Sequence, residues 1–353
     1  MLKREIKFAQ AINEAIDLCM AKDQAVYVVG LGVPDPKGIF GTTLGLQQKY
    51  GSARVLDMPT SENGMTGVAI GSALVGMRPI MTHQRIDFAL LAMDQIVNQA
   101  AKWHYMFGGQ MRVPIVIRLL IGRGWGQGPQ HSQSLQAWFA HVPGLRVVMP
   151  ATPYDAKGLL ISSVEDDNPV IFIEHRWLYN LTGHVPAELY RVPLGEAKVM
   201  REGSDLTIAA LSYMTLEALE ASKLLADIGV SAEVIDIRTL NPLDEESILK
   251  SVQKTGRLLV ADTGWKAAGF SAEIVARIAE GAFHHLKSPP WRVALPDCPT
   301  PTTPALANQY YPRALDIVLA AKKMLGLKTD DQPSLAAESR PLDVPDLSFT
   351  GPF

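Results

Sequence analysis

Two polar residues stand where an open α/β protein does its chemistry. Glu62 lies in Ser61-Glu62-Asn63-Gly64-Met65-Thr66-Gly67-Val68-Ala69-Ile70-Gly71, just after a short apolar run, Val55 to Met58. The run reads as a strand and the small-residue stretch as a helix. The acid therefore sits at a strand-to-helix junction, where open α/β sheets place their ligands. His131 lies in Gln130-His131-Ser132-Gln133, closing a loop with glycine at 122, 124, 126 and 128. Alternate glycines make a mobile or tightly turned segment after the strand Pro114 to Leu120. A carboxylate and an imidazole on such loops can hold and move protons near neutral pH. Each also has a plain reading: Glu62 as a helix-start acid favoured by the dipole, His131 as an ordinary loop histidine.

The elements that must carry them alternate along the chain. Ile6 to Ala21 has apolar residues at helical spacing. Short apolar, β-branched runs follow at Ala25 to Val29, Val55 to Met58, Pro79 to Thr82, Pro114 to Leu120, Arg146 to Met149 and Val170 to Glu174. Helical stretches at Glu62 to Val75, Phe88 to Met106 and Tyr154 to Val164 separate most of them. This predicts an α/β fold: two open, mostly parallel sheets with helices on both faces. A second series has strands at Leu206 to Leu211, Ala232 to Ile237, Arg257 to Asp262 and Trp291 to Leu295. Its helices are Thr215 to Ile228, Asp244 to Thr255, Phe270 to Glu280 and Ala314 to Met324. Trp177 to Pro193 lacks periodicity and reads as a linker. The expected division is residues 1–190, 191–327 and an irregular, proline-containing tail, 328–353.

Gly64, Gly67 and Gly71 fall on roughly one face of the helix that Glu62 opens. Glycine weakens a helix by up to ~1 kcal/mol relative to alanine, so something is expected to pack close there. Phe88, from pattern alone, is a core residue, and His83, Gln84 and Arg85 could line a pocket at the same strand end. Asp166 to Asn168 read as a polar turn.

The chain has 353 residues, 47% of them hydrophobic, and a net charge of −3. That is enough for two cores and argues against a nucleic-acid surface. Cys19 and Cys298 fit neither a disulfide framework nor a metal cluster and suggest a reducing, cytoplasmic compartment. No apolar stretch is long enough to span a bilayer. Gly122-x-Gly124 lacks the context of a nucleotide-binding loop, and no nucleophile elbow or zinc spacing is present.

Many segments together resemble a known family. They include Pro59-Thr60-Ser61-Glu62-Asn63-Gly64, Met93-Asp94-Gln95-Ile96, Gln130-His131-Ser132-Gln133, Pro143-Gly144-Leu145, Pro150-Ala151-Thr152-Pro153-Tyr154-Asp155-Ala156-Lys157-Gly158 and Ile237-Arg238-Thr239-Leu240-Asn241-Pro242. From about residue 3 to 326 the chain is similar to β subunits of the thiamine-dependent decarboxylating component of 2-oxo acid dehydrogenases, of the pyruvate, branched-chain and acetoin type. The resemblance implies a transketolase-like pair of domains and thiamine diphosphate as cofactor. Glu62 would bond the aminopyrimidine ring nitrogen, Phe88 would pack on that ring, and His131 would sit beside the substrate or the acyl-carrier arm. Ile115, Ser163, Val164, Asp166 and Asn168 match positions that surround a structural potassium ion in some members. A Gly-Asp-Gly motif for magnesium is absent, which implies that an α subunit holds magnesium and the diphosphate. The expected assembly is two α and two β chains, with the stretch Phe88 to Met106 at an interface and a lipoyl acyltransferase core as a further partner. The chain departs from the pattern at His83-Gln84-Arg85, Gly122-Arg123-Gly124, Glu174-His175-Arg176-Trp177 and Leu295 to Pro304. Arg85, Arg123 and Arg176 therefore also suit a carboligase with an aldehyde or sugar acceptor.

Overall fold

The computed structural model describes residues 4–124 and 126–329. Almost all of the expected tail lies outside the described residues. The first strand, β1 (Glu5–Lys7), takes the start of what reads as one helix; the helix proper is Phe8–Lys22. Its buried positions, Phe8, Ala11, Ile12, Ala15, Ile16 and Cys19, recur at helical spacing and lie against the helix Pro153–Glu165. There follow β2 (Val26–Gly30), β3 (Val55–Leu56), β4 (Arg78–His83), β5 (Val116–Ile121), β6 (Arg146–Val148), β7 (Val170–His175) and β8 (Thr182–His184). The expected linker thus contains a strand: β8 runs antiparallel to β1.

The second series is β9 (Lys198–Arg201), β10 (Leu206–Ala210), β11 (Ala232–Asp236), β12 (Thr239–Asn241), β13 (Leu258–Trp265) and β14 (Trp291–Leu295). Its sheet has the order β14-β13-β10-β11-β9, parallel except for the edge strand β9. The first sheet has the order β12-β6-β7-β5-β4-β2-β3, and all its pairs are parallel except β12 with β6. Every residue of β5 and β7 is buried. That accounts for continuous apolar runs in place of alternation, because helices cover both faces of such strands.

The expected helix Phe88 to Met106 is helical but not one α-helix. It is split into Ile86–Ala89, a 3-10 turn at Leu90–Ala92, a π-helical stretch at Gln95–Ala100 and Ala101–Met106.

The two sheets are not independent. Strand β12 belongs by sequence to the second series yet completes the first sheet. One hydrophobic cluster runs from Met81, Ile117 and Ile171 to Leu211, Ile237 and Ile248. Polar ties reinforce it: Gln136 donates to Asp262 at 2.8 Å, and Arg238 donates to Asp155 at 3.0 Å. Asp236 lies near this second tie, fully buried and accepting from Thr215. Burial, reinforced by the charge of Asp155, raises its carboxyl to about 8.

A carboxyl raised on folding favours the folded state fully only below its unfolded value near ~4, and that contribution is lost as pH climbs to the folded value. Asp236→Asn should therefore melt progressively higher than the parent between pH 5 and pH 8. Parallel melting profiles for the two proteins would show that Asp236 does not titrate there.

Candidate active site

Parallel strands deliver their carboxyl ends to one edge of the sheet, and the expected residues follow those ends. Glu62 comes after β3, Phe88 after β4 and His131 after β5. Glu62 is the first residue of the helix Glu62–Leu74, with Ser61 before it in a non-helical conformation. It is 7% exposed. Among the described residues its carboxyl has no hydrogen-bond or ion-pair partner.

Phe88 and His131 meet directly: their rings are edge to face, with centroids 5.4 Å apart. Phe88 is half-buried and His131 exposed. Gln133 donates to Asp87 at 2.8 Å, which fastens the His131 loop to the loop after β4. The glycine-rich segment is also pinned from the side. Arg85 donates to the Gly122 carbonyl at 2.7 Å and to the Gln127 side chain. Gly122 has a φ of +86°, and a Cβ there would lie 2.6 Å from the His175 ring, so only glycine fits. From the second domain, the Pro301 and Thr302 carbonyls accept from Arg123, while the Trp177 indole donates to the Arg123 carbonyl at 2.6 Å.

Beneath this edge, β5 and β7 are joined by a fully buried ion pair. Arg118 donates twice to Glu174, at 2.6 and 2.9 Å, and Tyr179 donates to the same carboxylate at 2.7 Å. This fixes the relative height of the two strand ends.

His83, which sequence placed only as a pocket residue, sits one helical turn from Glu62. Its Nε2 is 3.2 Å from the Thr66 hydroxyl. Burial lowers it to about 4, so the ring is neutral at physiological pH. Four buried polar atoms at this edge have no partner among the described residues: Thr82 Oγ1, His83 Nδ1, Asp87 Oδ2 and Ser132 Oγ. Buried polar groups are nearly always satisfied. Such a group at one strand edge suits a polar cofactor.

The helix glycines behave unequally. Gly67 has a neighbour, since a Cβ there would lie 3.1 Å from Gln95 Oε1. Gly71 meets nothing within 4 Å. The close packing expected at all three is therefore absent at Gly71, which faces outward with Val68 and Val75, 61% and 82% exposed. Leu91, Tyr105 and Met106 are likewise exposed.

The five positions matched to potassium gather at the opposite, amino-terminal edge. The Val164 and Asp166 carbonyls accept from Arg78 at 3.0 and 3.1 Å. The Ile115 carbonyl accepts from Val170 at 2.9 Å, Ser163 donates to Leu159 at 2.7 Å, and Asn168 donates to the Asp166 carboxylate at 2.7 Å. The cation facing two of these carbonyls is the Arg78 guanidinium itself. No signal in the sequence pointed to the Gln136–Asp262 tie, because a glutamine within Gln136-Ala137-Trp138-Phe139 has no distinctive spacing.

Comparison with known proteins agrees with this geometry. The model described as the transketolase pyrimidine-binding domain matches residues 4–182, and that of the transketolase C-terminal domain matches 195–317. The β subunit of acetoin:2,6-dichlorophenolindophenol oxidoreductase from Cupriavidus necator is 45% identical over 334 residues, covering 92% of this chain and 98% of that one. The chain belongs to the transketolase-type β-subunit family. The mitochondrial pyruvate dehydrogenase E1 component subunit beta of Bos taurus is 40% identical over 328 residues, covering 92% and 91% of the two chains. A solved structure described as a split gene transketolase, inactive beta4 tetramer, superposes with a TM-score of 0.73 at 25% identity, covering 92% of this chain and 99% of that one. The Cupriavidus necator and Bos taurus relatives are both β subunits of dehydrogenase or oxidoreductase type, which favours that activity over a carboligase.

Because the His131 ring is exposed, replacing it with alanine should alter stability by no more than about 0.5 kcal/mol while lowering turnover of the assembled enzyme. A melting-temperature loss beyond about 4 °C with turnover preserved would make His131 a structural residue.

Proposed function

We propose that this chain is the β subunit of a heteromeric, thiamine-diphosphate-dependent 2-oxo acid dehydrogenase, which decarboxylates a 2-oxo acid and passes the acyl group to lipoamide. One observation carries the reading: Glu62 is nearly excluded from water at a helix start, and its carboxyl has no partner among the described residues. Glu62 and Phe88 would hold the aminopyrimidine of thiamine diphosphate, which would supply a nucleophilic carbon and an electron sink for decarboxylation. Glu62 would hold a proton at a ring nitrogen of the aminopyrimidine, a bond strengthened where water is excluded. Phe88 would pack on that ring, held in place by its contact with His131. His131 would orient the oxo acid or move a proton at the reacting carbon. Held neutral by burial, His83 would present an uncharged hydrogen-bonding wall below them.

An α chain would complete the site, in an assembly of two α and two β subunits. The exposed Val68, Val75, Leu91 and Tyr105 support such a partner, as does the orphaned polar edge. Magnesium and the diphosphate would be held mainly by the α chain. No group of three or more His, Cys, Asp or Glu suited to a metal occurs among the described residues. We assign potassium no role in turnover: its matched positions lie at the far edge of the sheet, where Arg78 already faces two carbonyls. A lipoyl acyltransferase core is the further partner in this reading, and the compartment is the cytoplasm. The two cysteines are free, and no described helix is long and apolar enough to cross a membrane.

The test is decarboxylation by the chain assembled with its α partner, with lipoamide and a set of aldehydes as alternative acceptors. Acyl transfer to lipoamide is expected; product from aldehydes alone would make it a carboligase. Glu62→Gln should lower turnover about 100-fold or more with assembly intact, and unchanged turnover would sink the assigned role.

A further inference from the structure

Arg85 is a buried cation beside the site. It follows β4, lies three residues before Phe88 and is 2% exposed. Its two described bonds go to neutral acceptors, the Gly122 carbonyl and the Gln127 side chain. No carboxylate bonds it among the described residues; Asp87, the nearby acid, accepts from Gln133 through one oxygen, and its charge offsets only part of the effect of burial and Arg176 on Arg85. A second guanidinium stands close. Arg176, at the end of β7, lies 4.5 Å from the centroid of the Phe40 ring, and Arg85 lies 5.9 Å from the same centroid. Burial first, and then the charge of Arg176, push Arg85 down to about 10. The adjoining His175 imidazole is pushed to about 3 by burial and by Arg85, so it stays neutral and adds no further positive charge.

Burying a guanidinium beside another is costly unless an anion offsets it. Arg85 keeps further N–H donors beyond its two bonds, and a guanidinium fork matches a carboxylate or phosphate. Its neighbours decide where that anion must come from. It immediately precedes the short helix that carries Phe88 and grips the segment that leads to His131, so the anion belongs to the molecule being transformed.

We propose that Arg85 receives a second anionic group, carboxylate or phosphate, at the far end of the substrate, so that the enzyme prefers 2-oxo acids carrying two negatively charged groups. This rests on the function proposed above.

The experiment compares the assembled α–β enzyme on 2-oxobutyrate, 2-oxoglutarate and 3-phosphonopyruvate. The parent should show the higher kcat/KM with one of the two doubly anionic acids, and which one names the group. Arg85→Gln should raise KM for that acid about 10- to 100-fold more than it raises KM for 2-oxobutyrate, with Arg85→Lys intermediate. Preference of the parent for 2-oxobutyrate overturns this inference and leaves the broader function standing. An equal fall in kcat on every acid also overturns it, making Arg85 only a clamp on the glycine loop. Failure to decarboxylate any acid overturns the broader function and this inference together.

Discussion

A carboxyl group that is to grip a cofactor must be shielded from water and must not already be engaged. Glu62 meets both conditions, and the surrounding structure answers to them. An acid at the start of a helix is stabilised by the dipole, which offsets part of its burial. Small residues along that helix let Gln95 approach on one side. On the other side the helix surface is left apolar and open around Gly71. Thr66 engages His83, so the neighbouring imidazole is occupied at one nitrogen and does not bond Glu62. A paired Glu62 would be cheaper to bury and useless for binding a ligand.

The other site groups depend on the heights of adjacent parallel strands. Pairing of β4 with β5 and of β5 with β7 brings three strand ends to one edge. The Arg118–Glu174–Tyr179 cluster fixes β5 against β7 where both are dry. Above it, the loop bearing His131 is tied to the first domain through Asp87 and to the second through the Pro301 and Thr302 carbonyls. The second domain therefore helps hold the site by contacts on the glycine loop, and β12 keeps the two sheets in register.

Much of this was legible in the residues. The buried strands β5 and β7 declare themselves as continuous apolar runs, and Glu62 declares itself by its junction. The resemblance singled out Phe88 and His131 separately, and only the structure shows that their rings meet. Other features had no local signal. Strand β12 is three residues long and pairs with a strand from the other domain. Strands β1 and β8 are short edge segments whose pairing spans the whole first domain. The break in the stretch Phe88 to Met106 leaves its apolar spacing nearly intact, so periodicity reads it as one helix. The guanidinium facing the Val164 and Asp166 carbonyls comes from Arg78, distant in sequence. Gly71 shows the converse limit: a glycine marks close approach only if something within the same chain approaches.

The central claim is that Glu62 is half of a site completed by a second chain. Calorimetric titration of thiamine diphosphate, with magnesium, into this chain alone, the α partner alone and the two together tests it most directly. The account predicts tight binding to the assembled pair and little to this chain by itself, with the Glu62→Gln assembly binding more weakly. Equally tight binding by this chain alone would contradict it.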